Sequence, residues 1–444
     1  MKFEKIKSIK KVTKKTKVYN LKVKDNENYF VNNILTHNCS GSCKYCFSYT
    51  SKANNPSVDF DNLKLKAVNI PKLIEIMEGK HPDNPYYKYF FKKRKVLHIG
   101  GLADNFDNTD RKFNLSYPLI EYLLKTGYPT VISTKFLFLD RPEYKELFTK
   151  YKDTNKCAIQ ASIITIDEDK ARDIEGGIPT PEERFKQLEE LKELGYYTVA
   201  RIRPFIIGLT DLKYDKFLDR VAKAKVSAIS TEFYCLDFRA TERDKEHYRW
   251  MSKVLGFDIM KYYNKLSPNS RGSYKRLNRN VKERYIKAMY KICKDNGIKF
   301  ACSDPDFKEL CQTNNCCGAP DDWGIMKNQL TNLLRKAFKK YHDTGEKFIH
   351  FVDMMEDINE DEWKHQQVFM QDEICKTAMQ SSELKRTTHF DLIRNRWNNP
   401  KSKNSPYVYF DGKMRPHHVD NDGNIVYEYI ESPYEREWKK EGLL

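Results

Sequence analysis

Three cysteines near the start of the chain have the residue type and spacing to hold a metal. Cys39, Cys43 and Cys46 lie within eight residues, in a loop that also contains glycine and serine. Thiolates at this spacing suit soft metals, either zinc or an iron–sulfur cluster. The next cysteine is Cys157, so three sulfurs would leave one coordination position open. An open position is typical of a catalytic metal site, whereas a structural zinc site has four protein ligands.

The composition is that of a globular protein, and we expect it to lie in the cytoplasm. The 444 residues are 40% hydrophobic and 32% charged, and this length predicts two or three domains. No run reaches the ~20 apolar residues that a membrane-spanning helix needs, and the lysine-rich N-terminus lacks the apolar core of a secretory signal. Eleven cysteines in such a chain favour metal binding or redox chemistry over disulfide bonds.

The net charge of +17 is unevenly distributed. Residues 1–38 hold ten lysines and three acidic residues, so this segment carries about +7, and the remaining chain carries about +10. A basic surface suits a nucleic-acid partner. A lysine-rich codon bias would give the same charge, so nucleic acid is one possible partner of the main body.

The elements that must position the cysteines change in character near residue 60. Residues 1–38 alternate apolar and polar side chains, which predicts a short all-β segment. Six strands then alternate with helices: VLHIGG, PTVISTK, CAIQASIIT, YTVARIRPFI, VSAISTEFYCL and IKFACSD. This alternation predicts an α/β fold, a full or partial (β/α) barrel over residues 39–320. The chemistry of such barrels lies at the C-terminal ends of the strands.

Residues 321–444 break this pattern and predict an α+β extension. Two helical stretches precede "YVYFDGKMRPHHVDNDGNIVYEYIE", which predicts a β-ribbon that turns at DNDG. His417 and His418, with Asp420, could bind a metal. Adjacent residues on a strand point to opposite faces, so we expect a solvated histidine pair instead.

Four further cysteines follow the last strand of the predicted barrel, at Cys302, Cys311, Cys316 and Cys317. They could hold a second iron–sulfur cluster or a zinc ion, or one of them could donate a hydrogen atom to a radical. They could also be small buried residues with no special chemistry. The sequence leaves these three interpretations open.

The spacing of Cys39, Cys43 and Cys46 resembles that of the radical S-adenosylmethionine enzymes. The resemblance implies a [4Fe–4S] cluster on the three cysteines, with S-adenosylmethionine bound at the fourth iron. One-electron reduction, by a donor such as flavodoxin or ferredoxin, would then release a 5′-deoxyadenosyl radical. The resemblance also implies cofactor contacts for Tyr45, at the aromatic position before the last cysteine. It implies the same for the Gly100–Gly101 pair at the end of the first barrel strand.

The stretches "HIGGLADNFD", "VISTK" and "ASIITIDEDKARDIEGGIPTPEERF" resemble the spore photoproduct lyase-like branch of that family. This resemblance implies that Lys135 and Ser162, at strand ends, contact S-adenosylmethionine. Glu175, Arg184 and Arg203 also fall in motif positions, where ordinary salt bridges and a solvated arginine are the alternative interpretation. The hydrogen-donating cysteine of true spore photoproduct lyases is absent between Cys46 and Cys157 in this sequence. Reversal of thymine dimers by that mechanism is therefore not expected.

The block "VYNLKV…NYFVNNILTHNC" resembles the C-terminal end of an intein. The resemblance implies that Cys39 is the splicing nucleophile, that Asn38 cyclises to cut the chain after itself, and that His37 assists the proton transfer. The N-terminal half of an intein is absent from the sequence. We therefore expect a split intein, whose other half lies on a separate chain. The basic charge of residues 1–38 suggests that this partner is acidic.

Two other functions remain as alternatives. One is a zinc-dependent nucleic-acid-binding protein without catalysis. The other is a chain whose only chemistry is splicing, followed by an inactive enzyme portion. The intact spacing of the three cysteines argues against the second alternative.

Overall fold

The computed structural model describes residues 40–46, 69–84, 86–101, 104–153, 156–237, 242–267, 274–323, 334–335, 339–341, 343–355, 388–402 and 405–444. The predicted intein segment, residues 1–38, and Cys39 lie outside these ranges. So do the gaps between them, which include Leu102 and Ala103.

Short strands and helices alternate along the described part of the chain. The strands are β1 Ser42–Cys43, β2 Leu97–Ile99, β3 Thr130–Thr134, β4 Cys157–Ser162, β5 Glu175–Gly176, β6 Tyr197–Phe205, β7 Ala228–Phe233, β8 Leu236–Asp237, β9 Tyr274–Lys275, β10 Lys299–Cys302, β11 Phe348–Ile349, β12 Met414–Val419 and β13 Ile425–Tyr429. The α-helices are α1 Ile70–Met77, α2 Asn108–Phe113, α3 Tyr117–Lys125, α4 Pro142–Lys150, α5 Glu168–Ile174, α6 Pro181–Glu193, α7 Tyr214–Lys223, α8 Glu242–Leu255, α9 Ile259–Leu266, α10 Arg279–Asp295, α11 Phe351–Met355, α12 His389–Trp397, α13 Pro406–Tyr409 and α14 Pro433–Lys440. A π-helix spans Tyr87–Phe91 and a 3-10 helix spans Pro305–Leu310.

Six strands form one parallel sheet in the order β10-β7-β6-β4-β3-β2. Each of these strands lies beside the next one along the chain, which is the order of a singly wound barrel. The predicted α/β fold and its six strands are therefore confirmed. Within the described residues no pairing joins β2 to β10, so closure of the barrel is not shown.

The central strands are covered on both faces. Every residue of β3 and β4 is buried, as expected for parallel strands between a layer of helices and a filled interior. Helix α6 shows how the sequence builds the outer layer. Thr180 and Glu183 form a capping box at its start, Pro181 occupies the first turn, and Gly195 follows its end at φ +86°. This helix buries Phe185, Leu188 and Leu191.

The C-terminal extension has its own small core and also packs on the part of the chain that forms the parallel sheet. Strands β11, β13 and β12 form an antiparallel sheet, which confirms the predicted ribbon. Trp397 lies fully buried in the core of this part. Trp438 of α14 stacks on Phe307 with ring centroids 6.0 Å apart, and Lys287 of α10 pairs with Glu441 at 3.0 Å. The extension therefore packs on α10 and on the 3-10 helix that follows β10.

Candidate active site

The cysteine loop is fixed against the segment that follows α5. Strand β1 pairs antiparallel with β5, and this register places Cys43 opposite Glu175. The amide of Lys44 donates to the carbonyl of Ile174 at 2.9 Å. The amide of Cys46 donates to the carbonyl of Cys43 at 3.2 Å, which turns the chain. Cys43 is buried and Cys46 is partly exposed, so one thiol lies inside the site and the other lies at its edge.

The other end of the loop is tied to the start of α2. The amide of Ser40 donates to Asp107 Oδ2 at 2.8 Å, and the amide of Asn108 donates to Ser40 Oγ at 3.0 Å. Asp107 also caps α2 by accepting from the amides of Thr109 and Asp110. Because α2 follows the first strand of the sheet, the loop lies at the C-terminal ends of the strands, where barrel chemistry is expected.

A buried ionic network lies beside Cys43. Lys135, just after β3, donates to Cys43 Sγ at 3.3 Å and to the Tyr45 hydroxyl, and lies 3.4 Å from Glu175 Oε1. The Tyr45 hydroxyl donates to Glu175 Oε1. Arg184 donates to Glu175 Oε2 at 2.5 Å and to the Ser162 carbonyl at 2.5 Å. The network thus joins the loop to the ends of β3 and β4.

Each charged group in this network is stabilised by an opposite charge beside it. Burial alone would raise the pKa of Glu175, but Arg184 and Lys135 keep this pKa below its ordinary value. Burial also raises the pKa of the Cys43 thiol, and the Lys135 ammonium offsets only part of that effect. A metal that binds Cys43 must therefore displace the proton of its thiol, with the Lys135 charge favouring the thiolate.

The residues present fit an iron–sulfur cluster as far as they are described. Cys43 and Cys46 are close enough for the charge of Cys46 to add to the effect of burial that raises the pKa of the Cys43 thiol. Both are free thiols. Within the described ranges no group of three metal-binding side chains occurs, because the third predicted ligand, Cys39, lies outside them. Two of the three predicted ligands thus lie on one loop, and the Lys135 ammonium beside Cys43 would offset part of the negative charge of a thiolate.

The two glycines predicted to contact the cofactor differ in their surroundings. Gly100 has φ +81°, and a Cβ on it would lie 1.9 Å from the Ser133 carbonyl oxygen. Gly101 has a single neighbour at van der Waals distance, His98 Cε1 at 3.9 Å. Position 100 therefore needs a glycine, because the backbone of β3 leaves no space for a side chain there. Position 101 has space beside it for a bound group.

Asp104 belongs to this region and was not predicted. Its carboxylate accepts from the amide of Lys135 at 2.6 Å, from Thr134 Oγ1 at 2.8 Å and from the amide of Phe106 at 3.1 Å. Burial raises the pKa of Asp104 to about 6. The carboxylate fixes the backbone of Lys135, so Asp104 is a positioning residue. The sequence feature that could have indicated Asp104 is its position four residues after Gly100.

The structure brings most of the predicted cofactor residues to one end of the sheet. Tyr45 and Lys135 contact each other, with the ammonium 4.3 Å from the ring centroid. Ser162 is buried and contributes its carbonyl to Arg184. Arg203 is not the solvated arginine considered above, because its side chain is 16% exposed and pairs with Glu232 at 2.5 Å. Whether these residues contact S-adenosylmethionine stays a prediction.

Replacement of Glu175 by glutamine is expected to lower the free energy of unfolding by ~3–5 kcal/mol, because Arg184 would stay buried without its partner. Both side chains are 1% exposed. Since the pKa of Glu175 is lowered on folding, its stabilisation is present above the unfolded pKa and is lost as the pH falls through the folded pKa. Urea unfolding at pH 7 measures the change. Glu146→Gln, at an exposed position of α4, is the control and should change stability by less than about 0.5 kcal/mol. Equal stability of both variants would contradict the network.

The two glycines give a matched pair of variants. Gly100→Ala is expected to destabilise the fold by more than ~2 kcal/mol, because the new methyl group collides with the backbone at Ser133 and the residue requires positive φ. Gly101→Ala should leave the unfolding midpoint close to wild type. If Gly101 lines the cofactor site, this second variant should instead weaken S-adenosylmethionine binding in a calorimetric titration. An equal fall of the unfolding midpoint in both variants would refute the claim that only position 100 lacks space for a side chain.

The four later cysteines do not form a common metal site in the described part of the chain. Cys311 Sγ lies 3.2 Å from the amide and the carbonyl of Cys302. Cys316 and Cys317 lie against the sheet, where the carbonyl of Cys316 accepts from Ser230 Oγ and the carbonyl of Cys317 accepts from Gln160 Nε2. His417 and His418 are both exposed, but they do not point to opposite faces as predicted. A β-bulge between Pro416 and His418 brings their Nδ1 atoms to 2.8 Å from each other.

Comparison with known proteins gives partial similarities. No family model matches the chain. A mutant of spore photoproduct lyase aligns with 60% of this chain and 74% of its own length, at 14% identity and a TM-score of 0.44. SuiB of Streptococcus suis, bound to S-adenosylmethionine, aligns with 61% of this chain and 49% of its own, at 11% identity and a TM-score of 0.37.

Two curated relatives have no described function. Uncharacterised proteins of Mycobacterium bovis and Mycobacterium tuberculosis are each 24% identical over 197 residues, which is 43% of this chain and 55% of theirs. The chain thus spans about half the length of these relatives. The assignment of a function depends on the residues of this chain.

Among the described helices, none combines the length and apolar character needed to cross a bilayer.

Proposed function

We propose that residues 39–320 form a radical S-adenosylmethionine enzyme of the photoproduct-lyase-like kind. The observation that carries the proposal is the cysteine loop itself. Cys43 and Cys46 are free thiols on a loop fixed at the C-terminal end of a parallel sheet, with the lysine, tyrosine and carboxylate side chains of the network beside them. Bound there, a [4Fe–4S] cluster and S-adenosylmethionine would supply a 5′-deoxyadenosyl radical that abstracts hydrogen from a substrate.

The chain's own residues have separate tasks in this proposal. Cys39, Cys43 and Cys46 would hold the cluster. Lys135 places a positive charge at the Cys43 sulfur, which offsets the negative charge of the thiolates. Tyr45, buried at 4% exposure, closes the site on its inner side.

We further propose that residues 1–38 are the C-terminal half of a split intein. His37, Asn38 and Cys39 have the residue types that the cleavage and ligation steps need. A separate chain would supply the other half of the intein and the preceding part of the enzyme. We expect splicing and the radical chemistry to take place in the cytoplasm, with flavodoxin or ferredoxin as the electron donor.

Anaerobic reconstitution of the trans-spliced protein with iron and sulfide tests the enzymatic proposal. We expect a brown protein with about four iron atoms per chain, the content of one [4Fe–4S] cluster. On reduction with dithionite it should convert S-adenosylmethionine to 5′-deoxyadenosine. A colourless protein that retains zinc would instead support the zinc-dependent nucleic-acid-binding alternative. Full iron loading without 5′-deoxyadenosine would support a splicing chain with an inactive enzyme portion.

A further inference from the structure

A second polar cluster lies on the inner face of the sheet, on the side of β6, β7 and β10. Residues 311–323 return from β10 and run along this face. The carbonyl of Cys316 accepts from Ser230 Oγ at 2.8 Å and from Arg203 Nη1 at 3.3 Å, and the carbonyl of Cys317 accepts from Gln160 Nε2 at 2.7 Å. These hydrogen bonds therefore fix the Cys316–Cys317 segment on the inner face of the sheet, near the strand ends where the cysteine loop also lies.

A buried donor in this cluster has no acceptor in the described part of the chain. Arg335 is 6% exposed, and it donates from Nε to the Tyr409 hydroxyl at 2.9 Å and from Nη2 to the Cys302 carbonyl at 2.8 Å. Its Nη1 atom is buried without a hydrogen-bond partner among the described residues. The buried Ser303 hydroxyl faces the Cys316 sulfur and helps to lower the pKa of that thiol. Buried donors are nearly always paired, so the orphaned guanidinium nitrogen of Arg335 indicates a missing acceptor.

The charges of the cluster are out of balance. The cluster contains the three guanidinium groups of Arg201, Arg203 and Arg335. Glu232 pairs with Arg203 at 2.5 Å and lies 3.9 Å from Arg276. A hydrogen bond from Cys317, together with the Arg203 and Arg335 charges, lowers the pKa of the Cys316 thiol despite its burial. Burial and the neighbouring Arg203 charge lower the pKa of Arg201. The lowered pKa values of Cys316 and Arg201 have the sign that nearby positive charge produces. Despite burial, the charge of Glu232 raises the pKa of Arg203, and Tyr409 raises the pKa of Arg335.

We propose that Arg203 and Arg335, with the Ser303 hydroxyl, bind an oxyanion group of the enzyme's substrate beside Cys316. Planar guanidinium groups bind both phosphate and carboxylate groups through paired hydrogen bonds. Arg335 comes from the C-terminal extension and Arg203 from the barrel, so the extension completes the substrate site.

The cysteine loop lies on the other half of the sheet, beside β3 and β4, so both sites share one end of the barrel. The inference depends on the proposed radical chemistry only where it calls the ligand a substrate. Its test needs no iron, so it fails or succeeds separately from that chemistry.

The Cys316 thiol is a built-in reporter for this site. The cluster-free full-length chain is treated with iodoacetamide at constant ionic strength, and alkylation of Cys316 is followed by peptide mass spectrometry against added inorganic phosphate or acetate. A bound oxyanion covers the thiol and opposes its ionisation, so we expect saturable slowing of the Cys316 reaction. Alkylation of Cys46 is the internal reference and should not change. Slowing by phosphate alone assigns a phosphate-bearing substrate, and slowing by acetate assigns a carboxylate.

A matched pair of arginine variants localises the effect. Arg335→Gln should weaken the protecting anion about 10- to 100-fold, the loss expected for one charge-assisted hydrogen-bonding group. Arg436 is an exposed arginine of the same extension. In the Arg436→Gln variant, the anion should protect Cys316 from alkylation as it does in the wild type. Absence of protection by either anion in the wild-type chain overturns the proposal, whatever the folding of the variants. Unchanged protection in the Arg335 variant also overturns it.

Discussion

Replacement of Cys46 by serine is expected to abolish cluster binding and the formation of 5′-deoxyadenosine. Cys46 is one of three proposed thiolate ligands, and a serine hydroxyl is a poor ligand for iron in such a site because it stays protonated at neutral pH. The loss should exceed the about 10- to 100-fold effects that follow from changes in the surroundings of a metal site. Iron content after anaerobic reconstitution and chromatographic detection of 5′-deoxyadenosine measure it.

Cys235→Ser is the matched control for this experiment. Cys235 is a partly exposed thiol that contacts the Phe233 carbonyl at 3.4 Å, and it lies outside the cysteine loop. The control should load iron and cleave S-adenosylmethionine like the wild type. If both serine variants retain the cluster, the cysteine loop is not the iron site.

Replacement of Asn38 by alanine is expected to block trans-splicing. An alanine side chain cannot cyclise onto its own carbonyl, so the peptide bond before Cys39 would stay intact and a branched or unspliced product would accumulate. His37→Ala should slow the same cleavage about 100-fold or more, since it removes the proposed acid–base group. Co-expression with the predicted partner half, followed by gel and mass analysis, measures the spliced product. Efficient splicing of the alanine variant at position 38 would refute the intein assignment.

Cys39 would have two roles in this account, because splicing and iron binding use the same sulfur. Before splicing the residue belongs to the intein segment, and afterwards it is the first cluster ligand. We therefore expect less iron per chain before the partner half is added than after it. Asn38→Ala provides the control, since mixing it with the partner should not raise the iron content. Equal iron content before and after splicing of the wild type would show that cluster assembly does not depend on splicing.

The order of the barrel strands could be predicted because the information is local. Each strand is a short apolar run between helices whose ends are marked in the sequence, as Pro181 and Gly195 mark α6. Gly100–Gly101 and Lys135 were placed at strand ends for the same reason, and the structure puts them there. The cysteine spacing is also local, so the candidate metal ligands needed no tertiary information.

Contacts between distant residues could not be predicted. Glu175 is 130 residues from Tyr45 along the chain, and nothing in either segment indicates that they share a hydrogen bond. The position of residues 311–323 on the inner face of the sheet depends on packing against three strands. For this reason the sequence could not decide whether Cys316 and Cys317 bind a metal, donate a hydrogen atom or are simply buried. The arginines near these two cysteines become visible only in the structure.

Electron paramagnetic resonance of the reduced, reconstituted protein tests the central claim most directly, namely that three cysteine ligands leave an iron open for S-adenosylmethionine. The account predicts a [4Fe–4S] signal whose g-values shift when S-adenosylmethionine is added, together with the release of 5′-deoxyadenosine. A signal that S-adenosylmethionine leaves unchanged, in protein with full iron content and no 5′-deoxyadenosine, would contradict it.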